Sequence, residues 1–216
     1  MTTIFNGVHF CDSAKNSKIN LHPAVMLFVF ILVFIVTTIS QVILQIPLLI
    51  PVALISGDDL DYYNLLSTPA MLFSTAAPAA LTMVYVKFLE KRPISTMGIT
   101  KNNFAKKYLT GFLMGFAAFS AVVAICLLTG QIQFNGTDFS GGIPFIIVMC
   151  FGWVIQGAQE EILCRGWFMT SLARRMPLWL AVVLNSVFFS LLHLGNEGFS
   201  LIAFINIVIA GIMFSV

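Results

Sequence analysis

The run PAVMLFVFILVFIVTTISQVILQIPLLIPVALI, residues 23–55, decides the solvent in which this chain folds. A helix crosses the hydrocarbon of a bilayer with ~20 apolar residues, whereas a signal-peptide core has roughly 7 to 15. The run therefore reads as a retained membrane segment. Pro47 and Pro51 are expected to end or kink it, because proline lacks an N–H and clashes with the preceding turn. Working outward on the same ruler, the spans fall at about 24–50, 67–89, 108–129, 143–160, 178–194 and 199–216. The expectation is an all-α, multi-pass transmembrane bundle of about six spans. Composition agrees: 59% of the 216 residues are hydrophobic and 9% charged, against roughly 25% charged in a soluble domain.

Basic residues mark the cytoplasmic side of such a bundle. Numbering the compartments alternately from the N-terminus puts Lys15, Lys18, Lys87, Lys91, Arg92, Lys101, Lys106, Lys107, Arg174 and Arg175 on one side. The loops 56–66, 130–141 and 195–198 hold no basic residue. This sorting predicts a cytoplasmic N-terminal tail, residues 1–22, followed by a single transmembrane domain over 23–216 in a cell membrane. The lipid bilayer is thus one partner. The net charge of +2 is too small, and its basic residues too local, for a nucleic-acid surface. Cys11, Cys126, Cys150 and Cys164 show no CxxC spacing, so they suggest packing rather than a disulfide framework or a zinc knuckle.

The remaining basic residue, Arg165, lies in IQGAQEEILCRGWFM, residues 155–169, with Glu160 and Glu161. An ionised side chain at mid-membrane costs on the order of 3 kcal/mol, so such residues usually face a cavity or one another and serve a function. Glu161 and Arg165 stand four apart in the favourable order and read equally well as a structural ion pair. One guanidinium satisfies one carboxylate, which leaves Glu160 as a candidate general base. In NSVFFSLLHLGNEG, residues 185–198, Asn185, Phe189 and His193 share a helical face. If the chain turns near Met176 and Pro177, Glu160, Glu161 and His193 lie at equal path lengths from the turn and so at one depth, about 24 Å away along straight helices. A glutamate and a histidine at one depth can deprotonate a water, directly or through a divalent metal, and the water can attack an amide carbonyl. Arg165 would orient a carboxylate or stabilise developing negative charge. There is no HExxH, no GxSxG, and no aspartate within the spans. Gln156 and Gln159, one turn before the glutamates, either line the same cavity or bond across helices.

EEILCRG (160–166) and FSLLH (189–193) resemble the EExxxR and FxxxH motifs of the CAAX-processing and bacteriocin-processing (CPBP, or Abi) intramembrane proteases, whose bacterial members are the ones compared. HLGNEGFSLIAFINIVIAGIMF (193–214) and KRPISTMGIT (91–100) are also similar to segments of that family. The resemblance implies a helical membrane fold and hydrolysis of a membrane-associated CAAX-type or bacteriocin-like peptide. Glu160 would activate the water, with Glu161 and Arg165 in support. His193 would position the water or, with Glu160, bind a metal; the family's classification as metallopeptidases makes zinc or another divalent metal the implied cofactor, and the residues leave both routes open. Family members carry a further HxxxN motif on a later helix. His9 and His22 precede the first span, and Asn196 and Asn206 lack that motif's context, so the chain reads as truncated at its C-terminus and catalytically incomplete. Two other functions compete: a non-catalytic immunity or scaffold protein on the same fold, and a proton or cation carrier using Glu160 and Glu161 as a relay.

Overall fold

The computed structural model describes residues 22–99, 101, 103–136 and 142–215. The expected tail 1–22, with His9, Cys11, Lys15 and Lys18, lies outside them except for His22.

The first helix, α1 (Pro23–Ser56), starts where the sequence provides a start: Pro23 occupies its first turn, and the His22 ring accepts a hydrogen bond from the Ala24 N–H. It runs through Pro47 and Pro51 without ending at either. Proline is tolerated in membrane helices, where neighbouring groups and small local adjustments satisfy the freed carbonyls. The stop comes later, at Gly57, whose φ of +54° suits a residue without a Cβ.

Asp59 then caps α2 (Leu60–Ser74) by accepting from the Tyr62 N–H at 2.9 Å. That cap draws the stretch expected to be a loop as far as residue 66 into the second helix. α3 (Ala76–Val84) follows, ending in a π-helical turn, Tyr85–Leu89, and a 3-10 turn, Ile94–Met97. The other helices are α4 (Phe104–Leu128), α5 (Gly142–Glu160), a π-helical stretch Glu161–Met169 continued by α6 (Thr170–Ala173), α7 (Leu178–Leu191) and α8 (Leu201–Phe214).

No strand occurs among the described residues. Among the described residues four helical segments are long and apolar enough to cross a membrane: Ala24–Ser56, Leu60–Leu89, Phe104–Leu128 and Gly142–Ala173. α7 and α8, with 14 residues each, are apolar but shorter. The protein is an all-helical membrane bundle with six apolar helical segments, as its hydropathy predicts.

Two compact units can be told apart, one formed by residues within 1–99 and 147–216 and the other within 100–146. The second consists mainly of α4, largely apolar beyond Lys106 and Lys107 of its first turn. The first contains the core and everything described below.

At the centre of that unit lies the stretch Leu163–Ala173, buried at every residue. Its large apolar members, Leu163, Trp167, Phe168, Met169 and Leu172, are the side chains that draw it into the bundle. Phe30 of α1 packs at a tilt against Phe168, with ring centroids 3.9 Å apart, stacks on Trp167 at 5.8 Å and meets Phe188 edge-on at 5.5 Å. Lipid is as apolar as these rings, so close packing rather than escape from water holds them together. Glycines set the closest approaches. A Cβ on Gly152 of α5 would stand 2.9 Å from the Leu72 Cβ, and one on Gly211 of α8 would stand 3.0 Å from the Ser186 side chain of α7.

A buried polar collar fixes the far end of the central stretch. Arg92 donates from Nε to Glu90 at 2.6 Å, from Nη1 to the Thr96 hydroxyl at 3.0 Å, and from Nη2 to Ser171 at 3.3 Å. Trp167 Nε1 donates to the other Glu90 oxygen at 2.7 Å, and Arg174 approaches the carboxylate at 3.8 Å. Glu90 and Arg92 are each only 2% exposed. Burial draws the Arg174 guanidinium below its ordinary range, against the opposing influence of Glu90. Arg92 and Arg174, expected as loop charges, are thus the pins that hold KRPISTMG to the central stretch.

Candidate functional site

α5 gives way to the π-helical stretch between Glu160 and Glu161. A π-turn holds an extra residue relative to an α-turn and occurs often at functional sites. Here it coincides with Gly166, where a Cβ would lie 3.1 Å from the Met97 carbonyl oxygen. Adjacent residues on a helix point about 100° apart, and the two glutamates separate accordingly. Glu160 faces a cavity of about 220 Å³, whereas Glu161 is exposed and pairs with Arg165.

His193 lines the same cavity as Glu160. It sits two residues beyond the end of α7, in the turn that follows, and its Nδ1 lies 2.7 Å from the Phe189 carbonyl oxygen. A carbonyl can only accept, so this contact places the proton on Nδ1 and leaves Nε2 of the neutral ring as an acceptor. The face-sharing of Asn185, Phe189 and His193 acts through Phe189, whose ring packs at 4.7 Å from the imidazole. Glu160 is steadied from its own helix by Gln156, which donates to Oε1.

Arg165 does not reach the cavity. It is 6% exposed, donates from Nη1 to Glu161, and lies over the Phe189 ring at 4.8 Å and the Phe214 ring at 5.7 Å. The expected meeting of two carboxylates, an arginine and an imidazole divides into two layers. Glu160 and His193 border the cavity, and the Glu161 and Arg165 pair stands behind Phe189, whose ring touches both layers. Equal path length placed the groups at a common level but did not set their rotation, and the face that carries Glu161 and Arg165 is not the one that carries Glu160.

Three polar residues of α1, Thr37, Thr38 and Gln41, complete the cavity wall, with Gln159 beside Glu160. The α1 residues escaped the sequence reading because the first span was taken for its apolarity. Their signal is nonetheless visible: TTISQ, residues 37–41, interrupts an otherwise unbroken hydrophobic run. Cys164, expected only to pack, also borders the cavity.

A catalytic zinc takes three protein ligands and keeps a fourth position open. Among the described residues no group of three His, Cys, Asp or Glu is arranged to hold a metal. Glu160 and His193 supply two donors and do not by themselves fit such an ion.

Residues 142–216 match the family model described as type II CAAX prenyl endopeptidase Rce1-like. No curated protein matches the chain. Nor does any solved structure. The matched segment contains both motifs, the π-stretch and the cavity-facing histidine, and over that segment this membrane protein is similar to the CAAX protease family.

Proposed function

We propose that the protein is an intramembrane endopeptidase that cleaves a CAAX-type, membrane-anchored peptide with a water activated by Glu160. The observation that carries this reading is the shared cavity of Glu160 and His193, each held by a second hydrogen bond at its back.

A water between them meets two acceptors, the Glu160 carboxylate and His193 Nε2. Its two hydrogens point at these groups, which leaves an oxygen lone pair for the substrate carbonyl. Glu160 takes the proton as the C–O bond forms and returns it to the amide nitrogen as the C–N bond breaks, so the products are a carboxylic acid and an amine. Glu161 and Arg165 support the site from behind through Phe189. No step runs through a metal. The asymmetry of loop charge supports a cytoplasmic N-terminal side.

The test uses the intact protein in proteoliposomes and a fluorogenic peptide bearing an S-farnesyl cysteine followed by three residues. Wild type cleaves it and Glu160→Gln does not. Equal cleavage by both proteins defeats the proposal, and proton or cation flux lost in Glu160→Gln without cleavage by either protein favours a carrier instead.

A further inference from the structure

A polar group inside the hydrocarbon region that lacks a hydrogen-bond partner costs several kcal/mol. Two half-buried carboxamides on the cavity wall are open to such a partner from a bound ligand. Gln41 projects from α1, one turn beyond Thr37, and Gln159 precedes Glu160 on α5; both border the cavity, and neither has a hydrogen bond within the protein among the described residues. Gln156 differs, because its amide is committed to Glu160.

The neighbouring hydroxyls narrow what the wall can bind. Thr37 and Thr38 each donate to the Phe34 carbonyl at 2.9 Å, so their oxygens offer only lone pairs to the cavity. Together the wall presents hydroxyl acceptors and two amides, each able to donate and accept. No free cation lies on it to select an anion, while Phe34, Pro78 and Leu163 supply apolar surface between the polar groups. An extended peptide edge has the matching pattern. The N–H and C=O of one residue in a strand point to the same side, and a single carboxamide can engage both.

We infer that Gln41 and Gln159 bind the main-chain amides of an extended substrate segment beside Glu160, so that the peptide is gripped by its backbone independently of its side chains. This rests on the peptidase reading and adds binding residues to the same site. α1, whose sequence lies outside the segment that matches the family, becomes the second jaw of the binding cleft.

The experiment separates this inference from the identity of the catalytic base. Binding is measured by fluorescence anisotropy in nanodiscs in a Glu160→Gln background, where turnover is removed. The probe is the S-farnesyl cysteine peptide described above, compared with a depsipeptide in which ester oxygens replace the N–H groups after the cysteine. Gln41→Leu and Gln159→Leu, which keep side-chain volume, each weaken binding of the amide peptide about tenfold. On the depsipeptide, which keeps its carbonyls but offers no N–H there, the same substitutions cost distinctly less, about threefold. Gln41→Asn and Gln159→Asn, read alongside, retain part of the affinity while shortening the reach, and thermal unfolding confirms that each variant is folded.

Unchanged affinity in the Leu variants overturns the inference, as does an equal loss on both peptides or no binding of the amide peptide at all. A Glu160 that proves dispensable for cleavage defeats the peptidase mechanism but leaves the binding result intact.

Discussion

His193 Nδ1 sits 2.7 Å from the carbonyl oxygen of Phe189, one helical turn back, and that contact sets which ring nitrogen faces the cavity. Proton placement on Nδ1 makes Nε2 the acceptor for a water. His193→Ala therefore lowers kcat by about 10²- to 10⁴-fold, the usual range for loss of a proton-handling group. His193→Gln, which can still accept through its amide oxygen, retains more activity than the alanine variant. Single-turnover cleavage in proteoliposomes measures both, and an alanine variant at wild-type rate excludes the role.

The two adjacent glutamates have different surroundings, so their substitutions separate. Glu160→Gln abolishes cleavage and leaves the thermal unfolding midpoint nearly unchanged. Glu161→Gln weakens the contact to Arg165; it lowers the midpoint by a few degrees while kcat falls less than tenfold. A matched loss of activity in the two variants contradicts the two-layer arrangement.

Glu90 receives Arg92 on one oxygen and Trp167 on the other in a site sealed from solvent. Removing one member of a buried, hydrogen-bonded charge pair leaves the other uncompensated and costs about 3–5 kcal/mol. Glu90→Ala is expected to unfold at markedly lower temperature or to fail to accumulate in the membrane. Trp167→Phe removes a single hydrogen bond, costs about 1 kcal/mol, and remains folded. Equal unfolding midpoints for wild type and Glu90→Ala in the same detergent rule out a structural role for the collar.

Gly166 allows the central stretch to approach the Met97 backbone. A methyl group there meets the Met97 oxygen at 3.1 Å and the Met97 Cβ at 3.3 Å. Overpacking of this kind costs typically about 1–3 kcal/mol. Gly166→Ala should lower the unfolding midpoint and, by displacing the π-stretch, reduce cleavage. Gly157→Ala, where a Cβ meets nothing within 4 Å, is the control and changes neither.

The linear chain carried the membrane setting, the all-helical class, the number of apolar segments and the identity of Glu160 and His193 as candidates. Those readings rest on run length and residue chemistry, which do not depend on how helices rotate. Where helices start is also local, and Asp59 shows that a missed cap moves a boundary by several residues. Tertiary structure decided which charged groups share a space. Glu161 and Arg165 keep their four-residue pairing, whereas Glu160 stands five residues from Arg165, and only the packed bundle decides that Glu160 faces the cavity while Arg165 packs behind Phe189. It decided too that Arg92 and Arg174 are buried by a glutamate distant in sequence from the latter. Gln41 reached the cavity only because α1 packs along the central stretch. Such meetings depend on crossing positions and helix rotation, which arise from the packing of all helices together and are written in no single segment.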